Sequence, residues 1–228
     1  MNRKEGFTLI ELMIVMLILA ILMGLVIYAV GGVTARAKSN RTTAIIRTLE
    51  TAIQSYYSEF RAYPPDGYDF DVVADGKQLK GTAALIYFVG WIVPDPPGSK
   101  NFKSVKLLAE RDMGGGNITF EEVHGGKPFL EVNKKDLTPW GEVMDGWGNP
   151  FHYDNLEIDK NGNVRFTPQT GGGWHMSAPK YHNDPDPRVV KNKKQGFNPG
   201  SYDLWSHGPD GHTQSPKIDD DIWRGMNE

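Results

Sequence analysis

From Phe7 to Val30 the chain reads FTLIELMIVMLILAILMGLVIYAV, 24 residues that are apolar on every helical face, with Glu11 as the single charge. A helix crosses a bilayer in about 20 residues, and a buried soluble helix is seldom apolar all round for so long. The run therefore reads as a membrane segment. Beyond it, Ile45, Leu49, Ala52, Ile53, Tyr56, Tyr57 and Phe60 recur with a period near 3.6, while Arg41, Arg47, Glu50, Gln54 and Glu59 lie mostly off that stripe. The pattern predicts one long helix over 7–63, stopped by Tyr63-Pro64-Pro65. From 64 to 228 the apolar runs shorten. Ala83–Val93 reads as a buried strand or short helix, and Phe151–Tyr153 as a strand. Ile158–Phe166 reads as a hairpin around Asn161-Gly162. The stretch 167–200, with Gly171–Gly173 and Asp184-Pro-Asp-Pro187, reads as an inserted loop. The fold class that results is α+β, a long N-terminal helix packed on a small antiparallel β-sheet domain with long loops.

Composition sharpens this division. Residues 1–60 hold four of the 26 Gly and none of the 15 Pro, so the helical front end is joined to a turn-rich body that also carries all six Trp. A net charge of -3 excludes a general basic surface for nucleic acid. Without Cys there is no disulfide framework, thiolate cluster or cysteine nucleophile. His152, His175, His182, His207 and His212 are scattered through loops and strand ends and read as surface residues, with His207 and His212 able to approach across the Gly208–Gly211 turn. No phosphate-cradling Gly loop, nucleophile elbow or zinc-protease motif is present.

Two readings of the apolar run compete. Arg3, Lys4 and the Ala35-Arg36-Ala37 triplet suit a removable secretory signal. Its length and the early carboxylate favour a retained span, because a signal's apolar core covers only ~7–15 residues. An ionisable group within hydrocarbon costs at least ~2.5–3.5 kcal/mol and marks a functional site unless it reaches the interface. Glu11, four residues into the run, allows either.

The start MNRKEG followed by Phe7-Thr8-Leu9-Ile10-Glu11 closely resembles the prepilin junction of type IV filament proteins. The resemblance implies that a dedicated inner-membrane peptidase cuts between Gly6 and Phe7 and methylates the new amine of Phe7. It further implies that Glu11 is the assembly carboxylate, pairing with a neighbour's Phe7 amine so that each group offsets the other's desolvation. The stretch LVIYAVGG lacks the late Pro usual in such subunits. Arg3 and Lys4 before the span are balanced by Arg36, Lys38 and Arg41 after it, so charge does not settle orientation.

Two further segments, Asp145–Tyr153 (DGWGNPFHY) and Ser201–Gly211 (SYDLWSHGPDG), resemble signatures of the major pseudopilin of type II secretion systems, with Gly146 standing where Pro is usual. In that family the second signature opens a calcium loop closed by a later Asp-Ile. Carried over, Asp210 and Asp221 bind by side chain and Leu204 and Ser206 contribute oxygens; a solvated acidic tail around Asp219–Asp221 is the alternative. The resemblance implies a pilin-like fold divided into a leader (1–6), the long helix (7–63, with 7–30 in the membrane) and a periplasmic globular domain (64–228). It implies a non-enzymatic subunit that polymerises through its helix after leader cleavage to drive protein export. A type IV pilus or minor pilin for adhesion or DNA uptake is the alternative, and a membrane-tethered enzyme a third. The implied partners are further copies in a homo-oligomeric filament, the prepilin peptidase, minor pseudopilins and an inner-membrane assembly platform, with no nucleic acid. The implied location is the bacterial inner membrane, spanned once.

Overall fold

The computed structural model describes residues 7–67, 72–74, 77–96, 98–105, 108–112, 118–122, 127–156, 200–211 and 222–223, with the side chains of 26–31, 72–74, 77, 108–112, 118–122 and 223 outside that description. Helix α1 covers Leu9–Phe60 and α2 Thr82–Gly90. The strands are β1 Val72–Ala74, β2 Lys77–Leu79, β3 Ile92–Pro94, β4 Phe102–Ser104, β5 Leu108–Asp112, β6 Ile118–Glu122, β7 His152–Asn155, β8 Tyr202–Ser206 and β9 Ile222–Trp223. The chain divides into two compact units, Met1–Lys38 and Ser39–Glu228.

In the first unit the large apolar side chains from Phe7 to Leu25 are all more than half exposed. In the second, α1 enters the core. The buried seam is Thr42, Ile46, Leu49, Ile53 and Tyr56, with Ile45, Tyr57 and Phe60 only partly covered. The sequence stripe starting at Ile45 is thus rotated slightly. Spacings of four, three, four and three set the true face, and they include a threonine that hydrophobicity alone passes over. The helix stops at Phe60, short of the Pro pair, because Arg61 turns into the left-handed region (φ 56°) while its N–H still bonds Tyr57 O at 2.8 Å.

The Ala83–Val93 run resolves into both of its expected forms in succession. Residues Thr82–Gly90 form α2, buried on most sides, and Trp91 (φ 55°) reverses the chain into β3. At Gly90 a Cβ would sit 2.6 Å from Val132 Cγ2, so any larger residue there would force the Val132 side chain to move. Residues Leu85, Ile86 and Val89 meet the α1 seam, Leu137, Val143, Phe151, Tyr153, Tyr202 and Leu204 in one core.

Strands β1–β2, β3–β4 and β5–β6 form antiparallel pairs. The sheet that matters for the signatures is β7-β8-β9, antiparallel throughout, with Tyr153 opposite Leu204 and Ser206 opposite Ile222. The expected hairpin at 158–166 and the inserted stretch 167–200, save Gly200, lie outside the described residues.

Candidate functional site

At the N-terminal end, Thr8 precedes the first turn of α1 and Glu11 is its third residue. Glu11 Oε2 accepts from Thr8 N at 2.8 Å and from Thr8 Oγ1 at 2.7 Å, and Thr8 Oγ1 accepts from Glu11 N at 3.3 Å. This is a capping box: two amides that lack helical partners are satisfied by each other's residues. The Thr-x-x-Glu spacing that signals it is visible in the sequence, and Thr8 is the residue that a reading centred on Glu11 overlooks. Phe7 is 88% exposed, and Gly6 lies outside the described residues. Among the described residues no helix is long and apolar enough to cross a membrane; the exposed apolar run is described from Phe7 to Leu25.

The second candidate site joins the two signature segments. Residues Asp145–Asn149 close a tight turn in which Asp145 N donates to Asn149 O (2.8 Å) and Gly148 takes φ 90°. The buried Asp145 carboxylate organises it. Its Oδ1 accepts from the amides of Trp147 (2.8 Å) and Asn149 (2.9 Å), and its Oδ2 accepts from Ser206 Oγ at 2.5 Å. Ser206 Oγ in turn accepts from Gly208 N at 3.1 Å, and Asn149 Nδ2 donates to Gly208 O at 3.1 Å. On the other side, Gly146 N donates to Thr42 Oγ1 of α1 at 2.9 Å. Burial pushes the Asp145 carboxyl above its usual range, and the Ser206 hydroxyl and turn amides pull against that shift.

Leu204 has its side chain in the core, 1% exposed, so only its backbone oxygen could serve a metal. Ser206 ends β8, and Asp210 follows in the half-buried turn. Asp221 lies outside the described residues, but its neighbour Ile222 is paired opposite Ser206. The register thus brings the backbone after Asp221 alongside β8. Among the described residues no group of three or more His, Asp or Glu is gathered as a metal site.

Two histidines, His152 and His207, depart from the surface reading, while His175, His182 and His212 lie outside the described residues. His152 and His207 are 2% and 0% exposed, and their Nε2 atoms lie 2.6 Å apart. At that separation one ring donates and the other accepts. Trp205 stacks on His152 with centroids 4.5 Å apart and planes 6° from parallel. His207 therefore meets His152 across β7–β8, whereas the expected approach was to His212, which lies outside the described residues. The signal was present, since His152 opens β7 in one signature and His207 directly follows β8 in the other, but pairing them requires the register.

Residues 1–27 match the family model for the prokaryotic N-terminal methylation motif. The chain is 35% identical over 167 residues to the type IV major pilin protein PilE of Neisseria gonorrhoeae, covering 70% of this chain and 86% of that protein. It is 30% identical over 113 residues to type II secretion system core protein G of Aeromonas hydrophila (50% of this chain, 70% of the relative). The same-named protein of Escherichia coli (strain K12) is 24% identical over 142 residues, 61% of this chain and 93% of the relative. No solved structure matches. The chain belongs to the type IV filament superfamily. Within it, the similarity extends to the major pseudopilins of type II secretion, represented by core protein G.

Proposed function

We propose that this protein is the structural subunit of a type II secretion pseudopilus. The observation that carries the reading is similarity over 93% of the length of a type II secretion core protein G, in a chain opening on the methylation motif. Prepilin peptidase cuts after Gly6 and methylates Phe7. The chain is anchored once in the bacterial inner membrane with the globular part in the periplasm, and copies polymerise through their N-terminal helices, with minor pseudopilins and an inner-membrane platform as partners. The exposed apolar surface from Phe7 to Leu25 supports this role, because contiguous exposed apolar surface of this extent marks an interaction or membrane site. The capping box holds the Glu11 carboxylate at the N-terminal turn, the end of the helix where a neighbour's Phe7 amine has to be met. The work is mechanical, with no chemistry of the subunit's own.

Calcium belongs to the same proposal, held by Asp210 and Asp221 through side chains and by oxygens of Leu204 and Ser206. The pairing of Ile222 with Ser206 supports it by drawing both halves of the loop to one strand. Such an ion, bound by hard oxygens, staples the C-terminal strand to β8. A surface pilus is the second reading, favoured by the 35% identity to PilE.

The test is processing and assembly together. Intact-mass analysis should give a mature chain beginning at methylated Phe7. Glu11→Leu should be processed and inserted normally yet lose filament formation and secretion, since the neighbour's amine then has no carboxylate. An N-terminus at Lys38, or wild-type filament yield from Glu11→Leu, overturns the reading. Filaments retained in the envelope select the pseudopilus; filaments shed into the medium select the pilus.

A further inference from the structure

We propose that Asp145 is the positioning residue that holds the Ser206–Gly211 turn in register with α1; the metal-related half of this rests on reading that turn as part of the calcium loop. Asp145 is 2% exposed, and its two oxygens divide their work. Oδ1 shapes its own turn through the amides of Trp147 and Asn149. Oδ2 reaches 61 residues along the chain to the Ser206 hydroxyl. That bond fixes which way the hydroxyl points: its proton faces Asp145, so its lone pairs face Gly208 N at 3.1 Å. Asn149, the last residue of the same turn, secures Gly208 from the other side, its Nδ2 donating to Gly208 O.

Gly146, next to Asp145, bonds Thr42 on α1. The path from α1 to the C-terminal turn is therefore continuous, Thr42 to Gly146, through the Asp145 carboxylate, to Ser206 and Gly208. An Asp is needed because Oδ2 must act purely as an acceptor. A carboxamide in its place offers an N–H where the carboxylate offers a lone pair. Ser206 Oγ would then face two donors, and its own proton would lose the acceptor that turns the oxygen's lone pairs toward Gly208 N.

The experiment measures amide exchange by NMR and calcium affinity by titration calorimetry on the full chain in detergent micelles. Asp145→Asn should speed exchange of the Gly208 amide at least tenfold while leaving Trp147 and Asn149 within threefold, because Oδ1 keeps its role. Ser206→Ala should speed Gly208 equally. The double variant should be no worse than either single one, since both act through one bond. Calcium should bind Asp145→Asn at least fivefold more weakly than wild type. Wild-type exchange at Gly208 in Asp145→Asn, additive effects in the double variant, or calcium affinity equal to a wild type that does bind overturns the proposal. A wild type that binds no calcium removes the calcium reading alone, and the exchange measurements then decide the role of Asp145.

Discussion

Restoring the signature's proline at position 146 should destabilise this protein. Gly146 carries no positive φ, so a proline ring is not excluded by backbone conformation. Replacing glycine with proline at a compatible position gains about 0.4–1 kcal/mol by narrowing the unfolded ensemble. Here the amide it would delete donates to Thr42 Oγ1 at 2.9 Å, and Thr42 is fully buried on α1. Deleting the donor of a hydrogen bond at a buried hydroxyl costs about 1–3 kcal/mol. The loss exceeds the gain by roughly 1 kcal/mol, equivalent to a fall of about 2–4 °C in Tm for a domain of this size. The assay is a thermal melt of the full chain in detergent, followed by near-ultraviolet circular dichroism, for Gly146→Pro, Thr42→Val and the double variant. On the Thr42→Val background the acceptor is already gone, so Gly146→Pro should become neutral or stabilising. A steric clash of the ring would instead persist on both backgrounds. A rise in Tm from Gly146→Pro in the otherwise unchanged protein would refute the reasoning.

Tyr153→Phe should lose about 1 kcal/mol at pH 8, because Tyr153 OH donates to Pro64 O at 2.7 Å while that carbonyl keeps Asn155 Nδ2 at 3.2 Å. Burial pushes the Tyr153 phenol well above 10, so above pH 10 only the unfolded chain releases this proton and stability falls as pH rises, by about 1.4 kcal/mol at pH 11. Denaturation curves of wild type and Tyr153→Phe should therefore converge and cross near pH 11, and curves that stay parallel would refute the burial argument. For the metal, millimolar calcium should raise the wild-type melt over that in chelator by an amount corresponding to about 2.7 kcal/mol at a hundredfold excess over Kd, and Asp210→Ala or Asp221→Ala should abolish the difference; identical wild-type melts in chelator and calcium leave a solvated acidic tail.

Much of the helical half was legible. The apolar run, the amphipathic stripe and the Pro stop locate α1 to within a few residues, because helix signals are local and repeat many times along 52 residues. The exact buried face was not legible, since Thr42 earns its place by a hydrogen bond to Gly146. Ala83–Val93 shows the other limit: an apolar run of that length suits strand or helix equally, and the decision falls to Trp91, which turns the chain by adopting φ 55°. In the site, Leu204, Ser206 and Asp210 were singled out by their order along one segment, which the structure folds as β8 and the turn after it. The Asp145–Ser206 bond and the His152–His207 pair were not, because both depend on a β7–β8 register spanning more than 50 residues.

That register also bears on how two signatures far apart in the sequence are brought together. Between Leu156 and Gly200 lie 43 residues, 157–199, outside the described structure. Their base is closed by Leu156 N to Ser201 O and Gly200 N to Leu156 O, both 2.8 Å. For a flexible link in general, closure entropy grows only as the logarithm of length, so lengthening one from ten residues to 43 costs about 1.3 kcal/mol. Pairing of Tyr153 with Leu204 and of Asp154 with Asp203 proceeds just inside that base. Immediately beyond them, Asp145, Asn149, Ser206 and Gly208 lock the far end of the same two strands. With the strands fixed at both ends, the length between them costs little. The signature residues therefore hold the two strands together at both ends, independently of the length of chain that separates them in sequence.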